Sequence, residues 1–241
     1  MLIACAAALA AMSIAVAAED KPAGPLRVVM LSASGEYDSD ASTAAFKAYL
    51  ESKYDVKCTI LLGKEKGTGV EGLEALDAAD LMLVFTRRVT LPDDQLARVR
   101  KYCDAGRPVV GVRTASHAFQ NWLEFDRDVL GGNYKGHYGA GPKADVTLAE
   151  GAKDHPVLAG VRPFSSAYSL YRNTGLAKDV TLLASATSDG KTEPVAWTRL
   201  HNNGRVFYTS LGGPDDFKDE NFRRLLVNAI FWTTGREAKE K

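Results

Sequence analysis

The sequence predicts an α/β fold, with a doubly wound, mainly parallel sheet in the first half and a β-rich extension in the second. Three observations carry this expectation. Short runs such as LRVVMLS, DLMLVFT and PVVGV are apolar along their whole length, as strands covered on both faces are. Strand-like and helix-like stretches alternate through the first 112 residues, the pattern of parallel βαβ units. Beyond them come five strand-like runs with few helices between.

Each element has its own signal. LRVVMLS opens the sheet after a Pro/Gly linker, Lys21 to Pro25. From Ser42 to Ser52 the residues Phe46, Tyr49 and Leu50 are spaced for one helical face. VKCTILL is the second strand, because Val56, Cys58, Ile60 and Leu62 alternate onto one side. GVEGLEAL predicts a short helix and DLMLVFT the third strand. Pro92 sits at the first position of a helix DDQLARVRKYCDAG that Gly106 stops. PVVGV is the fourth strand. ADVTLAE, SSAYSLYRN, VTLLASAT, PVAWTRL and RVFYTSL are the later strand-like runs, some of them forming an antiparallel extension or edge. An amphipathic helix from Asp219 to Thr233 closes the fold.

The first 18 residues, MLIACAAALAAMSIAVAA, are apolar and end in small residues before Glu19, the outline of a secretory signal peptide cut after Ala18. Export to the periplasm or the extracellular space is therefore expected. No Lys or Arg precedes the apolar stretch, and its length is at the short limit of a membrane span, so an uncleaved anchor is the second reading. The expected organisation is a signal segment 1–18, a linker 19–25, a single domain 26–236 and a charged tail 237–241. The 30 basic and 30 acidic side chains all lie beyond residue 18, and this balance argues against nucleic acid as a partner. No membrane partner beyond the signal segment is expected, and the oligomeric state stays open. Cys58 and Cys103 read as small core residues rather than a disulfide scaffold.

In an open α/β sheet, ligands bind beyond the carboxyl ends of the strands. The segments that follow the strands here are polar: SASGEYDSD, then Thr86-Arg87-Arg88, then RTASHAFQNW, with Tyr171-Arg172-Asn173 and GGPDDF further on. Between them lies the glycine-rich GGNYKGHYG with His137. Their convergence on one rim is the argument for a site. His117 near a helix start and His137 in a loop are the titratable candidates near neutral pH. His155, before Pro156, reads as a turn former and His201 as a hairpin tip. Trp122, Tyr134, Tyr171 and Trp197 are either core aromatics or a stacking surface for a sugar. A dinucleotide fingerprint, a Walker A loop, a G-x-S-x-G elbow and an H-E-x-x-H helix are all missing, which demotes those enzyme classes.

PVVGVRTASHAF, GGNYKGH, DHPVLAGV, SLYRN and GRVFYTSLGGPDDF followed by FRRLLVNAIFWTTG, in this order and spacing, resemble the ThuA-like (trehalose utilisation) group, a branch of the class I glutamine amidotransferase-like fold. The resemblance runs from Leu26 to Gly235 and implies a flavodoxin-like core. In class I amidotransferases the turn after this strand carries a nucleophilic cysteine backed by a histidine and an acid. Here the corresponding position is Arg113, which has no nucleophile to offer and stays charged. His137 matches a histidine of the group. Where two other histidines of the group stand, this chain reads Val112-Arg113-Thr114, with His117 a few residues on, and Ser210-Leu211-Gly212-Gly213.

For a protein exported in this way, the resemblance implies action on a carbohydrate or an oxidised (keto-)sugar derivative without cysteine-dependent glutamine hydrolysis. In that reading Arg113, Arg87, Arg88, Thr114 and Tyr171 bind the substrate, Trp122 or Tyr134 stacks on a ring, and His137 and His117 are the catalytic acid/base pair. Hydrolysis, isomerisation and elimination remain open, and no cofactor is firmly implied. Two alternatives stand beside it. One is a non-catalytic sugar-binding or accessory module; the other is a hydrolase holding a divalent metal with His117, His137 and Asp215 or Asp216.

Overall fold

The computed structural model describes residues 24–139 and 143–241, so the signal segment expected over residues 1–18 lies outside the described residues. Nine strands form one mixed sheet: β1 (Leu26–Ala33), β2 (Val56–Leu62), β3 (Leu81–Thr86), β4 (Val109–Val112), β5 (Ala144–Leu148), β6 (Phe164–Ser166), β7 (Thr181–Ser188), β8 (Lys191–His201) and β9 (Gly204–Thr209). Their order across the sheet is β2-β1-β3-β4-β9-β8-β7-β5-β6. The half from β2 to β9 is parallel, with Met30 level with Ile60 and Leu83, and Gly111 level with Val84 and Tyr208. From β9 outwards through β8, β7, β5 and β6 every pairing is antiparallel. The β-rich second half therefore continues the same sheet.

Three α-helices, α1 (Ser39–Lys53), α2 (Asp93–Asp104) and α3 (Glu220–Thr234), lie within a residue or a few of their expected limits. Alternation along the strands sorts their partners, since successive side chains point to opposite faces. Phe46 and Leu50 of α1 and Leu226 and Ile230 of α3 bury against Val28, Met30, Leu83 and Phe207 on one face. Val99, Tyr102 and Cys103 of α2 bury against Val29, Leu31, Met82 and Tyr208 on the other. Each such side chain contributes roughly 1.5–3 kcal/mol when fully removed from water. The side chain of Asp219 starts α3 by accepting from the backbone N–H groups of Asn221 and Phe222, and Gly235 at φ 62° ends it. Cys58 and Cys103 are free and buried, and burial pushes the Cys58 thiol up to about 12. Among the described residues no helix is long and apolar enough to cross a membrane.

Two expected elements take another form. GVEGLEAL gives only a 3₁₀ helix, Leu73–Ala78. SSAYSLYRN supplies strand only at Ser165 and Ser166, the end of β6. The rest of that run is held by the glycine-rich loop instead: Tyr138 N–H donates to Leu170 O, Lys135 N–H to Arg172 O and Arg172 N–H to Gly136 O. These bonds pin the His137 loop beside the ends of the parallel strands.

Candidate functional site

The chain leaves β4 through a sharp turn. Arg113 stands at φ 49°, a left-handed conformation that costs a non-glycine residue of order 1–3 kcal/mol, and residues Arg113–His117 then form a 3₁₀ turn. Strain of this size persists only when neighbours fix it. Here the guanidinium of Arg113, with the residue 1% exposed, donates to Ser210 O (2.6 Å), to Ser169 O and Oγ (2.9 and 3.1 Å) and to the hydroxyl of Tyr37 (3.1 Å). It is also sandwiched between the rings of Tyr37 and Tyr171, at 4.4 and 4.3 Å. The hydroxyl of Tyr208 donates to Arg113 O at 2.8 Å. Arg113 thus ties the ends of β4 and β9 to the segment before Tyr171. Its Nη1 and Nη2 donors are occupied inside the protein, so the expected free cation facing a substrate is replaced by an internal brace.

Above this brace the aromatic rings run outward. Tyr171 lies 4.7 Å from Tyr134, and Tyr134 stacks on His117 at 4.6 Å with 16° between the planes. The exposed His137 ring is 6.3 Å from Tyr171. Laid end to end through Tyr171, these distances keep Arg113 and His137 inside the roughly 12 Å that one small ligand spans. His137 Nδ1 sits 2.8 Å from the carbonyl oxygen of Tyr138, so in the neutral ring Nδ1 carries the proton and Nε2 presents a lone pair.

A cleft of about 340 Å³ opens beside the stacked pair, lined among others by Arg88, His117, Glu124, Asp126, Tyr134 and Lys135. Asp126, which the sequence reading missed, is 7% exposed and sits in a π-helical segment, Asp126–Leu130. One carboxyl oxygen accepts from Tyr134 N–H at 2.8 Å, and the other has no hydrogen-bond partner among the described residues. Gly132 packs so tightly on this carboxyl group that a Cβ there would collide with it. Burial raises the Asp126 pKa to about 6, against the pull of the Tyr134 N–H and the Lys135 charge. His117 moves the other way, down to about 3, first through burial and then through the cations Arg88, Arg87 and Arg113. Its imidazole is therefore neutral across the physiological range, with Nδ1 3.0 Å from Ser116 Oγ. The near-neutral proton carrier on this wall is Asp126 rather than His117.

The remaining expected residues are spread more widely. Arg88, at φ 51°, reaches the cleft, whereas Arg87 beside it is engaged by Glu36 and Glu65. Thr114 is fully buried, which leaves it no surface for a ligand. Trp122 is a core residue on the α2 side: it is 4% exposed, stacks on Phe119 and carries Arg100 over its ring at 4.3 Å. Among the described residues no three His, Cys, Asp or Glu side chains gather as metal ligands. Asp215 pairs with Lys218, and Asp216 accepts from Gly212 N–H, Gly213 N–H and Ser166 Oγ, so neither joins the histidines. One signal for Asp126 existed in the sequence: it follows Phe125 and shortly precedes the apolar pair Val129-Leu130 and the glycine pair Gly131-Gly132.

Comparison with known proteins places this geometry in a family. The solved structure of a ThuA-like protein from Parabacteroides merdae superposes with a TM-score of 0.69 at 18% identity, covering 90% of this chain and 92% of that one. A ThuA-like protein from Bacteroides uniformis gives 0.67 at 18% identity, over 89% and 94%. A protein from Thermoplasma acidophilum assigned to GMP synthase gives 0.57 at 13% identity, over 88% and 95%. At such identities the likeness establishes the fold. No curated protein sequence matches the chain. The family model described as trehalose utilisation matches residues 27–233, nearly all of the described sheet and helices, and the chain belongs to this ThuA family.

Proposed function

We propose that this is an exported ThuA protein whose cleft, at the carboxyl edge of a doubly wound half-sheet, binds a carbohydrate or oxidised sugar derivative and transfers a proton to or from it. Family membership supports the carbohydrate-related role. The observation that carries the reading is the juxtaposition, on one cleft wall, of the stacked Tyr134–His117 pair and the partly unpaired Asp126 carboxyl group. A flat aromatic face covers the C–H side of a sugar ring, and buried polar atoms beside it fix the ring's hydroxyls.

The chemistry follows from protonation state. Near pH 6 Asp126 is divided between its two forms, so it can give a proton to a leaving or carbonyl oxygen, or take one from carbon or water. Neutral His117 accepts or donates a hydrogen bond without carrying charge. His137, exposed on its loop with Nδ1 engaged by the Tyr138 carbonyl, is the second proton acceptor, through Nε2. The turn after β4 supplies no nucleophile, because Arg113 occupies it, and glutamine hydrolysis through a cysteine is not part of this proposal.

The low pKa of His117 removes one of two expected proton carriers and favours a second reading, a non-catalytic sugar-binding module. A thermal-shift screen of mature protein against sugars and keto-sugars, with Tyr134→Ala and Asp126→Asn alongside, separates the two. Catalysis predicts a stabilising sugar whose turnover Asp126→Asn reduces at least a hundredfold. A module predicts binding that Tyr134→Ala weakens, with no product formed. No stabilising sugar at all defeats both.

A further inference from the structure

Two cations reach this cleft without making an ion pair there. Arg88 reaches it from the segment after β3, and its one side-chain hydrogen bond among the described residues, at 3.2 Å, goes to the neutral amide of Gln120. Lys135 reaches it from the glycine-rich loop. Among the described residues neither cation has a carboxylate at ion-pair distance. Their neighbours differ in this respect, since Arg87 is paired with Glu36 and Glu65, and Arg127, also on the cleft, with Asp128. Arg88 also holds a positive φ, a conformation that costs free energy.

Two unpaired cations facing one small concavity repel each other and hold a site for negative charge. The acids in the cleft are Glu124, which is exposed, and Asp126, whose unpartnered oxygen is more than nine-tenths buried. Two cations set against two acids leave little net positive charge, so the larger cost of stripping water from a doubly charged phosphate is less well offset than that of a singly charged group. Resting on the carbohydrate reading of the same cleft, we infer that its ligand is a sugar acid, with a carboxylate held between Arg88 and Lys135 and the ring or chain hydroxyls turned toward Tyr134 and Asp126. Arg88 offers the planar fork that matches a carboxylate, and Lys135 adds a point charge.

The test is calorimetric titration of the mature protein with matched probes: glucose against glucuronate and gluconate, and glucose 6-phosphate, each at 20 and 300 mM NaCl. The inference expects a sugar acid to bind at least tenfold more tightly than glucose, with a preference that shrinks in the higher salt. The Arg88→Gln/Lys135→Gln double variant, which alters only partly exposed or exposed side chains and should keep the wild-type melting temperature, is expected to bring acid and neutral sugar within about threefold. Equal affinity for glucose and the acids, a preference unaltered in the double variant, or tighter binding of the phosphate would overturn the inference while leaving the carbohydrate reading intact. Binding of none of the four overturns the carbohydrate reading as well.

Discussion

Asp126 and His117 share one cleft wall, yet burial moves their proton affinities toward each other and past, so the acid holds its proton to a higher pH than the base. The stability consequences have opposite signs. Asp126 has its pKa raised from 3.8 to about 6, so its contribution is fully present below pH 4 and is lost as pH rises through 6. His117 has its pKa lowered from 6.5 to about 3, so its contribution is present above 6.5 and is lost as pH falls toward 3. The shift at Asp126 corresponds to about 3 kcal/mol. Asp126→Asn keeps an acceptor for the Tyr134 N–H and removes the buried charge. Chemical denaturation from pH 4 to 8 should therefore find the variant gaining on the wild type by about 2 kcal/mol across that range. A constant difference at all pH values would show that Asp126 titrates as it does in water. At this scale the sequence was least informative. His117, His137, Tyr134 and Tyr171 were legible as polar or aromatic residues beyond strand ends. The role of Asp126 was not, because its burial depends on Gly132 and Tyr134 folding back over it.

The turn after β4 belongs to the scale of elements. Four apolar strand residues lead into it, and a left-handed Arg113 redirects the chain so that His117 and Ser116 line the cleft. The Arg113 brace joins three chain segments, at Tyr37, Ser169 and Ser210, that are distant in sequence. Hydrogen bonds to a charged group contribute about 1.5–3 kcal/mol each, and partners left buried without a donor add to the loss. Arg113→Ala should therefore destabilise by about 4 kcal/mol or more. Arg98→Ala, which breaks an exposed pair with Asp77, should cost less than about 1 kcal/mol. Similar melting temperatures for the two variants would remove the brace from the account. The strand VVGV and its polar turn were legible as elements, whereas the inward aim of Arg113 was not. An arginine after a strand reads as a ligand-facing cation until the buried carbonyls around it are known.

Across the whole molecule, the apolar runs and their alternation with helices located eight strands and three helices, because burial on both faces leaves that mark on sequence. The extension was legible as strands, and its union with the parallel half through β9 came from pairing that sequence does not encode locally. SSAYSLYRN misled because its alternation suits a strand, while its backbone partners are the glycine-rich loop and Arg113. That substitution of partners is what gathers Tyr171, Tyr134 and His137 beside His117 at the carboxyl edge of the sheet. The account therefore stands on this gathering being a sugar site. The most direct test is NMR of the His117 and Tyr134 ring protons during titration with the sugar that gives the largest thermal shift. The account predicts saturable shifts of both rings at one common affinity, with the ring protons of Trp122 unmoved. Saturation of binding with both rings unperturbed would place the ligand elsewhere and contradict it.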